Sequence, residues 1–358
     1  MSLHHTGVSR RQLLATAPAW LAGHALAAAP AEMPTALPLV LQQPAVASAK
    51  AQGLTMLAVA RAGQRLVAAG ERGTVLLSDD HGQTWRQARV PVQVSITALC
   101  FVDERTGWAA GHLGALLKTQ DAGETWVLQF DGQRAAAAIA GAWQDGTEAE
   151  RRKARRWLAE GPDKAFFDLC FTDARHGVAV GAYGMAFSTA DGGESWQALT
   201  PALPNPGSQH LYAVRVVQGR LMLAGEQGLL IRADDTGRRF ELLPPPSKGT
   251  LFGLVALPSG TLLVHGLRGQ LLRSTDQGAH WQKIDTGTTA TLSAGLPLAD
   301  GRVLLLAQTG ELLLGLDDGR QVKPLPGRAG VPAAALGAAA DGHLLVASLR
   351  GMRRLPAP

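Results

Sequence analysis

The residues with the makings of chemistry fall into a few groups. Residues 76–85 read LLSDDHGQTW, which sets Asp79 and Asp80 beside His81. A carboxylate next to an imidazole can pass protons, and two carboxylates can act as acid and base. Tyr183 and Tyr212 are the only tyrosines. Tyr183 as nucleophile with Glu226 as its acidic partner, or Glu71 with Glu226, would be the hydrolytic constellations. His112, His176, His210, His265 and His343 are spread without the close spacing of metal ligands, so neither a metal nor another cofactor is expected. Cys100 and Cys170 each sit in Leu-Cys-Phe, which makes them equivalent buried positions and, by expectation, packed free thiols.

The aspartate stretch is not unique, and this decides its role. Ser78-x-Asp80-x-Gly82-x-x-Trp85 recurs as Thr119-x-Asp121-x-Gly123-x-x-Trp126, Thr189-x-Asp191-x-Gly193-x-x-Trp196 and Ser274-x-Asp276-x-Gly278-x-x-Trp281. Asp235 with Gly237 and Phe240 is a weaker copy, and Asp317 with Gly319 a decayed one. Seven residues ahead of each aspartate stands a glycine, and Gly351 extends that series; successive gaps from Gly73 are 41, 70, 44, 41, 41 and 41 residues. Six gaps make seven units. A period in the low forties, with several short apolar strands per unit, specifies a β-propeller of four strands per blade. The chain therefore reads as all-β, a seven-bladed propeller. Catalysis needs one constellation, whereas this one is copied with decay around a ring. Its aspartate is expected to accept backbone N–H bonds within a hairpin turn, and its tryptophan to fill the space between blades.

Ser/Thr-x-Asp-x-Gly-x-x-Trp is the Asp-box motif. A longer unit, Phe-x-Asp-x-x-x-Gly-x-x-x-Gly, runs from Phe101 to Gly111 and again from Phe171 to Gly181. Together these resemble the photosystem II assembly/stability factor-like propellers over roughly residues 50–355. The resemblance implies a non-catalytic exported propeller acting as a protein-binding scaffold or assembly factor for a membrane complex. In thylakoid relatives an arginine-bearing surface engages a membrane subunit, and Arg72, Arg268 and Arg350 would be its loose analogues. Asp-box propellers also include sialidases and other glycoside hydrolases, which is the alternative expectation.

The 70-residue gap holds an insertion over 134–164, between blades 2 and 3. Thr147 with Glu150 forms a capping box ahead of strong helix formers, and Gly161-Pro162 stops the helix. Repeat order places this insertion on the same face as the Gly-x-x-Gly loops and opposite the aspartate turns. On that face Arg72, Tyr183, Arg268 and Arg350 at the loop tips, with Arg151, Arg152, Arg155, Arg156 and Trp157 on the helix, are the candidate partner-binding residues. Residues 36–42, rich in leucine, are expected to supply the strand that the last unit lacks. Ser9-Arg10-Arg11 followed by an alanine-rich apolar run to Ala29 reads as a twin-arginine signal over residues 1–30, so the mature chain is expected in the periplasm. No run is apolar enough for a membrane span. The formal charge of +5 is scattered, which argues against nucleic acid. A monomer with a membrane protein or complex as partner is the expectation.

Overall fold

The computed structural model describes residues 37–358 apart from 235, 236, 245 and 246. The signal segment and Asp235 therefore lie outside the described residues. Seven antiparallel sheets follow one another along the chain, each running from an inner to an outer strand in sequence order. The inner strands are Met56–Ala62, Ile96–Phe101, Phe166–Phe171, Leu211–Val217, Leu251–Ala256, Leu292–Pro297 and Ala333–Ala338, which begin blades 1 to 7. Six sheets have four strands and the seventh has three. The second strand of each blade is almost wholly apolar and buried, for example Leu66–Ala69 and Val303–Ala307. A strand covered on both faces reads as a continuous apolar run, and here the covers are the two neighbouring blades.

The aspartate turns are the staples between blades. In blade 2 the Thr119 hydroxyl donates to Asp121 at 2.8 Å and accepts the Gly123 N–H at 2.9 Å, while Asp121 accepts the Thr125 N–H at 2.9 Å and hydroxyl at 2.5 Å. Blades 1, 3 and 5 repeat this around Asp80, Asp191 and Asp276. In blade 4 Asp234 accepts the Arg238 N–H at 3.2 Å. Each tryptophan lies on the preceding blade: Trp126 packs with Val67 and Leu77, Trp196 with Phe130 and Trp281 with Met222. Trp85 does the same against Leu345 and Met352 of blade 7. Gly82 at φ 85° shows why the turn takes glycine, since a Cβ there would sit 2.6 Å from the Leu345 side chain.

Closure differs from the sequence expectation. Leu39–Leu41 is a 3₁₀ turn rather than a strand, and Leu41 is buried beside Val90, Val92 and Val94. Val40 accepts the Gln93 N–H at 2.7 Å and Ala45 donates to Val90 at 2.9 Å. The segment thus covers the connection from blade 1 to blade 2. Pro38 and Pro44 remove the donors that a ladder strand needs. Blade 7 keeps Gly351–Leu355 as its outermost strand, and the ring closes by packing it against blade 1, with Arg354 donating to the His81 carbonyl at 2.9 Å.

The insertion is a helical hairpin of two elements, α1 (Gly132–Ala142) and α2 (Glu148–Glu160). Asp131 caps α1 through the Gln133 and Arg134 N–H groups at 2.9 and 3.0 Å. The capping box of α2 forms as its sequence implies.

Candidate functional site

The loop between the second and third strands of each blade emerges on the face that carries α1 and α2. Its first glycine has no room for a side chain: at Gly181 a Cβ would lie 2.1 Å from the Ala165 carbonyl at the start of the inner strand. This close approach presses the loop onto the rim of the central channel. At the tips Arg72, Leu113, Tyr183, Gln227 and Arg268 all take left-handed backbone, at φ 55–56°. Such a conformation costs a non-glycine residue roughly 1 kcal/mol, and the repeat imposes it five times.

The arginines at these tips are open. Arg72, Arg268 and Arg350 are exposed, and among the described residues their side chains make no ion pair. Tyr183 is 48% exposed. The helix cations are placed differently. Arg151 and Arg155 both pair with Glu148, at 3.3 and 2.8 Å, and Arg156 pairs with Glu160 at 2.5 Å. Arg152 is exposed, with no ion pair among the described residues. Trp157, expected as a free aromatic anchor, is instead 7% exposed in the core shared by α2 and blades 2 and 3, with Trp143 nearby. Ala154 and Trp157 form the inward stripe of the helix, so the charge run is its solvated face. Lys164 is nearly buried after α2; its ammonium reaches Glu160 at 2.7 Å, Asp163 at 2.6 Å and the face of the Trp157 ring at 4.7 Å.

The carboxylates considered for hydrolysis have structural partners. Glu71 accepts the Thr55 N–H at 3.1 Å and Glu226 the His210 N–H at 2.8 Å, equivalent contacts that pin a loop to the start of its own blade's inner strand in blades 1 and 4. Asp80 is held well below the usual carboxylate range by the Thr84 hydroxyl and N–H. Asp79 is lowered by the Arg65 guanidinium. Both aspartates therefore stay ionised and engaged. Cys100 and Cys170 are unpaired, and burial pushes the Cys100 thiol up to about 12.

One group was not singled out from sequence. Every inner strand has a register slip at its second residue: Leu57, Thr97, Phe167, Tyr212, Phe252, Ser293 and Ala334. A bulge re-aims a side chain, and here it recurs at the loop-face end of every inner strand, where the strand meets the channel mouth. In blades 2 and 6 the residue is a hydroxyl that reaches the neighbouring inner strand, Thr97 to the Phe166 carbonyl at 2.7 Å and Ser293 to the Ala333 carbonyl at 3.1 Å. In blades 3 to 5 it is a ring. Phe167 stacks on Tyr212 at 5.1 Å, and Tyr212 meets Phe252 edge-on at 5.1 Å. His210 joins them at 6.0 Å from Phe167 and 4.8 Å from Tyr183, and its Nδ1 accepts the Tyr183 N–H at 2.7 Å. Phe167, Tyr212 and Phe252 are each the second residue of their inner strand and so fall into one column at the channel mouth. Outward from Tyr183 runs a groove of ≈ 230 Å³ between α2 and the blade 3–4 connection, walled by Trp143, Lys153, Pro201, Pro204 and Pro206.

The family model described as photosynthesis system II assembly factor YCF48 matches residues 149–323. No curated protein matches the chain. Among solved structures, YCF48 bound to D1 peptide superposes with a TM-score of 0.63 at 16% identity, covering 85% of this chain and 94% of that one. YCF48 from Cyanidioschyzon merolae gives 0.63 at 12% identity, with 84% and 95% covered. The Niastella koreensis GH74 enzyme gives 0.58 at 12% identity, and the match spans 52% of that longer chain. At these identities the structural matches speak to the fold alone.

Proposed function

We propose that this photosystem II assembly factor-like Asp-box propeller is an exported, non-catalytic scaffold that binds a protein partner, a membrane protein or complex, on the face carrying the insertion. The observation that carries the reading is the unequal use of charge on the two faces. The aspartate turns on one face satisfy their carboxylates within their own hairpins. On the other, Arg72, Arg268 and Arg350 stand exposed at loop tips beside a half-exposed tyrosine. Exposed guanidinium and phenol groups are the side chains that anchor protein interfaces. A YCF48 structure with a bound D1 peptide supports peptide recognition as a task for this kind of propeller. The paired arginines of α2 are secondary, because Glu148 and Glu160 already engage three of them.

The test is chemical crosslinking in envelope fractions followed by isolation of the full-length protein. An inner-membrane partner recovered with the parent chain is expected to be lost in the triple variant Arg72→Glu, Arg268→Glu, Arg350→Glu, with the thermal midpoint unchanged. Undiminished recovery would count against the reading. Turnover of sialosides or β-glucans that disappears in Tyr183→Phe or Glu226→Gln would replace it with a hydrolase.

A further inference from the structure

We infer that the aromatic crescent at the channel mouth of blades 3 to 5 is a recognition site for an aromatic or large aliphatic side chain on an extended, acidic segment of the partner. This rests on the protein-binding reading above and names the part of the face that selects the ligand.

The fold does not require rings there. The same bulged position is threonine in blade 2 and serine in blade 6, and in both a hydroxyl ties adjacent inner strands together. Blades 3, 4 and 5 give up that tie and place Phe167, Tyr212 and Phe252 in mutual contact, each only partly buried. Three rings on consecutive blades make a continuous apolar wall, whereas the other four blades carry Leu57, Thr97, Ser293 and Ala334 at this position and no ring. Partly solvated rings held by packing against one another lose little side-chain freedom when a ligand covers them.

The surroundings set the ligand's shape and charge. At one end Tyr183 links the crescent, through His210, to the groove beside α2. That groove, of ≈ 230 Å³, continues the site beyond the rings and offers a place for the residues flanking the inserted side chain. At the other end the blade 5 loop is bonded to the start of its inner strand, Leu267 N–H to the Thr250 carbonyl at 3.1 Å, which holds the Arg268 tip at the end of the strand that carries Phe252. Glu226, between these ends, is already committed to the His210 N–H. In the groove Glu150 and Lys153 offset each other, so the charge open to a ligand at the crescent's other end is the positive Arg268, and an acidic residue flanking the inserted side chain complements it.

The experiment uses the full chain and short synthetic peptides in which a central Phe, Leu, Ser or Lys is flanked by Glu, Gln or Lys, read by fluorescence anisotropy. Peptides with Phe or Leu beside Glu are expected to bind about tenfold or more tightly than their Ser or Gln counterparts. The double variant Tyr212→Thr, Phe252→Thr copies the residue type that blade 2 uses, so it is expected to fold and to erase the preference for Phe and Leu. Arg268→Gln should erase only the preference for Glu. Equal binding of all peptides, no binding of any, or an unchanged preference in the threonine variant would overturn the inference. Should the preference fail while crosslinking through the loop-tip arginines persists, the recognition site falls and the scaffold reading stands; loss of both removes both.

Discussion

Two kinds of buried or bonded titratable residue divide the acid response of this chain. His265 is 2% exposed, its Nδ1 is 3.0 Å from the Leu292 carbonyl, and Gly253 and Gly295 leave the space its ring fills. Burial lowers it from 6.5 to about 4. An imidazole kept neutral in the folded chain is protonated first in the unfolded chain, so stability is full above about 6.5 and falls on acidification until the folded group titrates near 4. Across that window the loss is expected to reach roughly 3 kcal/mol. Urea titrations at a series of pH values should show this slope in the parent and a flatter one in His265→Asn. Asp276 follows at lower pH: the His280 N–H and ring lower it to about 2, so its contribution is present above 3.8 and lost as the pH falls through about 2. Within the hairpins, Asp121→Ala should cost about 1–2 kcal/mol through lost hydrogen bonds. Trp126→Ala, at a site 4% exposed, should cost about 3–5 kcal/mol. The motif residues were legible because each turn solves the same bonding problem, so spacing recurs. Tyr183 was legible as a loop tip, whereas Phe167, Tyr212 and Phe252 were not, since their position holds no recurring residue type: it is Leu57, Thr97, Ser293 and Ala334 in the other blades.

At the level of elements, the helical hairpin is fastened by few groups and should behave as a local unit. Lys164 joins the end of α2 to the Trp157 ring and to the loop of Tyr183, whose ring centroid is 5.8 Å away. Its carboxylate partners are partly solvated, which discounts the pairs. Lys164→Met is expected to cost about 1–2 kcal/mol in local opening, seen as faster amide exchange across α1 and α2 with blade strands unchanged. Uniform acceleration over all blades would show instead that the hairpin is part of the global core. The capping box announced α2 from sequence. Helix α1 was less visible, because its start depends on Asp131, a residue that also ends the outer strand region of blade 2. The leucines of residues 37–41 looked like a strand, but alternation does not report which edge an apolar segment will cover. Two flanking prolines and the apolar connection at Val90–Val94 decide it. Removing residues 37–45 should therefore expose the blade 1–2 seam and destabilise modestly, whereas ending the chain at Ser348 should abolish cooperative unfolding by stripping Met352 and Arg354 from blade 1.

For the whole molecule, the proposed function assigns scaffolding and recognition to opposite faces of the ring. One face is spent on turns that lock each blade to its predecessor; the other presents loops whose glycines fix the backbone and leave the tips free to vary. Export is part of the same proposal, and replacing Arg10 and Arg11 with lysine should leave the protein in the cytoplasm if the twin-arginine route carries it. The seven-fold period made the architecture readable, and repeat order alone placed the insertion beside the Gly-x-x-Gly loops. Which helix residues are available was less readable, because Trp157 is buried and Arg151, Arg155 and Arg156, though exposed, are already paired with Glu148 and Glu160. The most direct measurement is residue-specific photocrosslinking in envelope fractions, with the photoreactive group placed in turn at Tyr183 and Arg268 on the loop face and at Gln83 and Glu194 on the aspartate-turn face. Adducts to a partner protein are expected from the first two positions alone. Adducts from Gln83 or Glu194, in place of the loop tips, would contradict the account.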